Sequence, residues 1–146
     1  MKFNKMMVAI TIIILTPMVM AGEKVINGDR DCSTITVNGG FFKGKIYTSS
    51  SFVEKVSTSI AVKRASQSLV ASGWKIATAD ENLGIISADT AVSYGSGKTA
   101  PLGITLVEKD GGLGVNVTYS ISGGTAAKSD DIAKQFCAIV DAINGK

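Results

Sequence analysis

The sequence predicts an α+β protein in which an antiparallel sheet is preceded by one long helix and followed by a C-terminal helix packed on it. One signal for the start of a helix and one for its end bound the stretch from Ser51 to Trp74. Residues 74–121 contain four successive segments of alternating apolar and polar residues joined by short turns, and residues 132–143 carry an apolar stripe at helical spacing. Short turns between such segments indicate antiparallel pairing, and we expect about four to six strands.

Residues 1–21 have the features of a secretory signal. Two lysines near the start precede an apolar core, and small or aliphatic residues end the segment at Ala21. The uninterrupted core, from Met6 to Leu15, is too short to span a bilayer comfortably; a retained membrane anchor is the alternative. We therefore expect a periplasmic or secreted protein with no membrane span once the signal is removed.

Cleavage after Ala21 would leave residues 22–146 as a single α+β domain, a length that suits one hydrophobic core. A lipoprotein would carry its lipid-bearing cysteine at position 22, where Gly22 stands. Loss of Lys2 and Lys5 from the 15 basic residues leaves 13 against 12 acidic residues, a net charge of +1. The charge therefore gives no reason to expect nucleic acid as a partner.

Two cysteines remain after the signal, Cys32 and Cys137. In an exported protein such an isolated pair is most simply a disulfide, and two unlinked buried thiols are the alternative. The chain contains no histidine, so the two cysteines fall short of the usual zinc ligand set. We expect a disulfide that ties the N-terminal loop to the C-terminal helix, and neither a metal site nor a cofactor.

The prediction of the first helix rests mainly on the capping signals at its two ends. Ser51 and Glu54 have the spacing of a capping box, and Gly73 suits a left-handed C-terminal cap. Phe52, Val56 and Ile60 would share one helix face. We expect the second half of this helix to be partly exposed.

The remaining elements follow from alternation and turn residues. Before the helix, a weak strand at 33–37 and a β-like segment at 41–48 flank an Asn38-Gly39-Gly40 turn. After it, the clearest hairpin joins the segments at 102–106 and 113–121 through a Lys-Asp-Gly-Gly turn. Ser129 would cap the C-terminal helix. Its stripe comprises Ile132, Phe136, Ile139, Val140 and Ile143.

Two short motifs have simpler explanations than the functions they suggest. Tyr94 to Thr99 ends in Gly-Lys-Thr, but Val92 stands where a phosphate-binding loop needs glycine, and Pro101 and a strand pattern follow instead of a helix. This segment is better explained as a hairpin loop. Asn116-Val117-Thr118 matches a glycosylation acceptor, but it lies within a predicted strand.

The sequence gives little support for catalysis. The absence of histidine removes Ser-His and Cys-His activation of a nucleophile. A turn accounts for the acidic pair Asp80-Glu81, and a helix start accounts for Asp130-Asp131. A carboxylate-based hydrolase is the least favoured alternative, because acidic side chains distant in sequence can still meet.

Four aromatic residues are candidates for lining a groove between helix and sheet. These are Trp74, Tyr94, Tyr119 and Phe136. The alternative is ordinary packing in and around the core.

The segment LVASGWKIATADENLGIISAD, which joins the first helix to the sheet, is similar to a pattern found in envelope proteins. Over about residues 43–143, the chain resembles the helix-grip domains of BamC, the lipoprotein of the outer-membrane β-barrel assembly machine, and of related small periplasmic proteins. It lacks the lipid-bearing cysteine of that lipoprotein and has one domain. The resemblance implies a helix packed across an antiparallel sheet and used for binding.

These observations favour an exported, non-catalytic protein that binds another envelope component. The second hypothesis is a carrier of a small apolar ligand held between the C-terminal helix and the sheet. The sequence does not define the oligomeric state.

Overall fold

In the part of the chain that the structure describes, a single antiparallel sheet of seven strands carries two helices. The structure is a computed structural model that describes residues 23–92 and 97–146. The predicted signal segment lies outside the described residues. The strands are β1 (Lys24–Ile26), β2 (Ile35–Gly40), β3 (Gly44–Glu54), β4 (Lys75–Asp80), β5 (Ile85–Ala91), β6 (Thr99–Lys109) and β7 (Gly112–Ile121). The helices are α1 (Thr58–Ala71) and α2 (Ser129–Asn144), and a 3-10 turn covers Asp31–Ser33.

The α+β class, the antiparallel sheet and the C-terminal helix are confirmed, but the strand count and the helix order differ from the prediction. Seven strands lie in the order β1-β2-β3-β7-β6-β5-β4. The first helix does not precede the sheet; it crosses from β3, in the middle, to β4, at one edge. The count was too low because β1, which is only three residues long, was not predicted. Strand β3 was predicted at 41–48, but it extends to Glu54 through a polar sequence that hides its alternation.

The predicted start of the first helix is wrong. Ser51 to Glu54 belong to β3, whose pairing with β7 continues as far as Glu54 opposite Gly112. No capping box therefore forms there, and α1 begins only at Thr58. Continuous pairing with a central strand satisfies the backbone N–H and C=O groups of this segment, and a helix would have to satisfy them in another way.

The end of α1 agrees with the prediction. Gly73 adopts φ of 84°, the left-handed conformation that a residue without Cβ adopts at least cost. The Gly73 N–H donates to the Val70 carbonyl at 3.0 Å, and the Trp74 N–H donates to the Leu69 carbonyl at 2.9 Å. These two hydrogen bonds form a Schellman motif, which fixes where Trp74 leaves the helix.

The core lies between the helices and one face of the sheet. Leu102 is opposite Tyr119 and Leu106 is opposite Val115 in the β6–β7 hairpin, which the sequence predicted. In β6 the buried positions alternate with more exposed ones, and in β7 the same face is buried at Leu113, Val115, Val117 and Ile121. One face of the hairpin therefore packs on the helices, and the other is more accessible. Helix α1 contributes Ala61, Val62, Ala65 and Leu69 to this core.

The predicted stripe of α2 is confirmed. All five of its residues are buried: Ile132, Phe136, Ile139, Val140 and Ile143. The helix starts one residue earlier than predicted, with Lys128 as its N-cap, and ends at Gly145, whose φ is 79°.

The predicted disulfide between Cys32 and Cys137 is also confirmed, with 5.0 Å between the two Cα atoms. The buried Ser49 hydroxyl of β3 donates to the Asp31 carbonyl at 3.0 Å and to the Cys32 carbonyl at 3.2 Å. Arg30 forms a salt bridge with Asp141 on the solvent side of α2, and its hydrogen bonds lower the pKa of that carboxyl group. The N-terminal turn is thus attached to both β3 and α2.

Removing the disulfide should destabilise the fold without changing it. The bond spans a sequence separation of 105. On chain-entropy arguments we expect C32A/C137A to lower the free energy of unfolding by up to about 4 to 5 kcal/mol. Urea unfolding, followed by circular dichroism, measures the difference, and reduced wild-type protein is the matched control. Equal urea midpoints for oxidised and reduced protein would contradict this role.

Candidate ligand-binding cavity

A cavity of about 350 Å³ opens between the N-terminal half of α2 and the sheet. We call it the α2 cavity. The sheet side of its wall comes from the residue before β4, from β6 and from β7, and the other side comes from α2 and the segment before it. The lining residues are Trp74, Leu102, Tyr119, Ala126, Ala127, Lys128, Asp131, Ile132, Gln135 and Phe136.

Three of the four aromatic residues predicted to line a groove lie in this wall. Trp74 reaches it from the Schellman motif, Tyr119 from β7 and Phe136 from α2. The Trp74 and Tyr119 rings meet edge to face with centroids 5.8 Å apart, an arrangement that aromatic pairs favour. Tyr94, the fourth candidate, lies outside the described residues.

The ring of Tyr119 lies beside the ring of Tyr47 of β3. The two residues are directly opposite each other in the β3–β7 pairing, and their ring centroids are 6.3 Å apart. Burial raises the pKa of both phenols, and the charge of Tyr47 would raise that of Tyr119 further. Both side chains therefore stay protonated and neutral around neutral pH, which keeps this wall uncharged.

Polar groups lie in one part of the wall. Lys128 and Asp131 are exposed and stand at the mouth. Gln135 lies one helical turn beyond Asp131, and its buried side-chain nitrogen Nε2 has no hydrogen-bond partner among the described residues. A buried N–H donor without an acceptor is costly, so an acceptor atom in the cavity would be favourable here.

The other lining residues were not predicted as site residues. Ile132 belongs to the predicted α2 stripe, and Leu102 lies on the buried face of β6, so their patterns could have suggested them. Ala126 and Ala127 belong to an irregular segment, which carries no periodic signal. Gln135 is identified only by its missing hydrogen-bond partner.

The acidic pair Asp80-Glu81, considered in the sequence, makes structural contacts. Asp80 accepts hydrogen bonds at 2.9 Å from the backbone N–H groups of Asn82 and Leu83, which stabilises the β4–β5 turn. Glu81 accepts a hydrogen bond from Ser59 of α1. Within residues 23–92 and 97–146, no three acidic or cysteine side chains are grouped as a metal site would require.

The helices of the described part of the chain are too short or too polar to cross a membrane. No protein-family model matches the sequence, and no curated protein matches it significantly. The fold and the cavity therefore define the class only as a two-layer α+β protein with an aromatic-walled cavity beneath its C-terminal helix.

Proposed function

We propose that this protein binds a small, mainly apolar molecule in the α2 cavity. The observation that carries the proposal is the cavity wall, in which three aromatic side chains from three separate elements surround a space that they leave unfilled. Its volume of about 350 Å³ lies at the small end of the range of about 300 to 1,000 Å³ typical of ligand pockets. Clefts of about 270 and 480 Å³ elsewhere on the described surface have no aromatic lining, so the aromatic wall, and not the size, distinguishes this cavity as a ligand site.

The polar atoms of the wall suggest the chemistry of one end of the ligand. The Gln135 amide N–H groups would donate to a carbonyl, ether or carboxylate oxygen. Lys128 and Asp131 stand at the mouth, where water still solvates them. The preferred ligand would then place an apolar body against the rings and an oxygen acceptor toward Gln135.

We propose binding rather than catalysis, in a protein that is exported. The cavity brings together only one carboxylate, that of Asp131, and hydrolysis by carboxylates requires two. The Cys32–Cys137 disulfide suits an oxidising compartment outside the cytosol. A carrier or a sensor of a small molecule fits both features.

A second candidate is the binding of an envelope protein, which the sequence favoured and the helix-grip resemblance implies. One observation supports it: large apolar side chains lie on the sheet face opposite the helices and are partly exposed. Ile46 is 46% exposed, Phe52 43%, Ile85 40% and Val107 44%. Scattered exposed residues of this kind are common, so this support is weaker than that of the cavity.

Filling part of the cavity should weaken ligand binding. Trp74 is the single tryptophan of the chain and lines the cavity, so its fluorescence reports on occupancy directly. Titration with 1-aminoanthracene, a small apolar probe that accepts energy from tryptophan, should quench it saturably. We expect A127L, which places a larger side chain in the wall, to weaken the probe at least about tenfold.

The matched control for A127L is A77L, because Ala77 is exposed on β4 and is not part of the cavity wall. It should bind the probe as the wild type does. Quenching that does not saturate, or equal affinities for A127L and A77L, would contradict the proposed site.

Replacing Gln135 should stabilise the empty protein but remove its preference for ligands that carry an oxygen acceptor. Q135M keeps the length of the side chain and removes the buried donor, so the free energy of unfolding of the empty protein should rise by about 1 kcal/mol. The wild type should prefer acetophenone over ethylbenzene, which has a similar shape and lacks the oxygen acceptor. Q135M should lose that preference.

Competition against 1-aminoanthracene measures both affinities, and urea unfolding measures the stability. A preference for acetophenone that Q135M retains would show that Gln135 does not contact the ligand.

A further inference from the structure

The turn between β2 and β3 exposes two adjacent phenylalanines. The sequence suggested a turn at Asn38-Gly39-Gly40, but β2 continues to Gly40 and the turn consists of Phe41, Phe42 and Lys43. Phe41 is 53% exposed and Phe42 is 90% exposed. We call these three residues the phenylalanine tip. The two rings lie 5.5 Å apart, centroid to centroid, and form a continuous exposed apolar patch, which marks a contact surface more often than single exposed residues do.

The backbone of the tip is held in place by the segment that follows β7. The Gly124 N–H donates to the Phe41 carbonyl at 2.7 Å. Gly123 lies so close that a Cβ there would be 2.0 Å from the Phe42 carbonyl oxygen, a contact that only glycine permits. The chain thus fixes the tip while both rings face outward, so a partner would meet a preformed surface at a low cost in ordering.

The two segments that form and hold the tip carry lysines and no carboxylates. Residues 32–53, which contain β2, the tip and most of β3, include Lys43 and Lys45 and no acidic residue. Residues 111–129, which contain β7 and the segment that holds the tip, include Lys128 and again no acidic residue. Acidic residues follow only outside these segments, with Glu23 just before β1 and Asp130-Asp131 at the start of α2. The tip itself, with the adjoining ends of β2, β3 and β7, is positive, which complements an anionic surface.

We propose that the phenylalanine tip docks on an anionic phospholipid membrane, with both rings at the acyl-chain boundary and the lysine ammonium groups at the phosphates. Phenylalanine with flanking lysines is the side-chain combination that peripheral proteins place at this interface. Two phenylalanines bury at most about 300 to 500 Å², less than the roughly 800 Å² per partner of a stable protein interface. A lipid surface needs no complementary pocket, and it therefore suits a small convex tip better than a protein does.

Docking would also bring the α2 cavity near the membrane, a consequence that rests on the proposed function. The segment after β7 binds the tip through Gly123 and Gly124, and two to four residues later Ala126, Ala127 and Lys128 line the cavity. The tip and the cavity mouth therefore lie at the same end of the sheet. A protein held in this way could take up an apolar molecule from lipid or deliver it there.

Vesicle flotation of the full-length mature protein tests the docking. The wild type should float with phosphatidylcholine vesicles that contain phosphatidylglycerol, and less with phosphatidylcholine alone. F41S/F42S should lower the partition coefficient at least about tenfold. K43Q/K45Q should remove most of the preference for phosphatidylglycerol, and added salt should do the same in the wild type.

The matched control is L83S. Leu83 is 67% exposed in the β4–β5 turn, at the opposite end of the sheet, so this variant removes an exposed apolar side chain elsewhere and should float as the wild type does. Urea midpoints equal to that of the wild type show that the variants are folded. Wild-type protein that does not float, F41S/F42S that floats equally well, or an equal loss in L83S would overturn the proposal.

Two further outcomes separate this proposal from others. Self-association of the wild type that F41S/F42S abolishes, without flotation, would assign the tip to a second copy of the chain and overturn lipid docking. Affinity for 1-aminoanthracene should be unchanged in F41S/F42S. Lost flotation with intact probe binding in the wild type refutes docking alone, whereas intact flotation without probe binding refutes the cavity alone.

Discussion

The attachment of the C-terminal half of α2 is the constraint on which the rest of the structure depends. Cys137 is bonded to Cys32, and Asp141 pairs with Arg30. On the other side of the helix, the Arg64 guanidinium of α1 donates to the Ile143 carbonyl at 2.9 Å. These contacts, together with the buried stripe, attach residues 137–143 to the N-terminal turn, to α1 and to the core.

The N-terminal half of α2 has a different environment, and the cavity follows from it. Ile132 and Phe136 are the apolar anchors of this half, and the segment leading into it consists of small residues such as Ala126 and Ala127. On the sheet side, Trp74 and Tyr119 meet edge to face, so their rings form a wall. Helix α2 is fixed at its C-terminal end, and the segment before its N-terminal end has mainly small side chains. These small side chains do not fill the space next to the sheet, which larger ones would close.

The elements predicted best from the sequence are those in which apolar residues recur at regular spacing without interruption. The α2 stripe, the β6–β7 hairpin and the Gly73 cap are clear because apolar period, turn residues and glycine geometry agree there. The prediction failed for the second half of β3, where Ser49 and Ser51 face the helices and hide the alternation. It also failed for the Asn38-Gly39-Gly40 turn, where pairing with β3 carries the glycines into a strand. In both places, long-range strand pairing outweighs the local sequence preference.

The site was predictable only in part for a related reason. Trp74, Tyr119 and Phe136 could be suggested from the sequence because large aromatic side chains at element ends and on stripes tend to meet. That they surround a space rather than fill one depends on the position of α2, which the disulfide and Arg64 determine over long sequence separations. The exposure of Phe42 likewise depends on the position of the β2–β3 turn, and the local sequence pattern predicted that position wrongly.

Xenon binding in crystals of the oxidised protein tests the central claim most directly, because xenon enters apolar cavities that are close to empty. The account predicts a xenon atom between Trp74, Tyr119 and Phe136, beneath the N-terminal half of α2. Density showing Phe136 packed directly against the Trp74–Tyr119 pair, with no xenon between them, would contradict it.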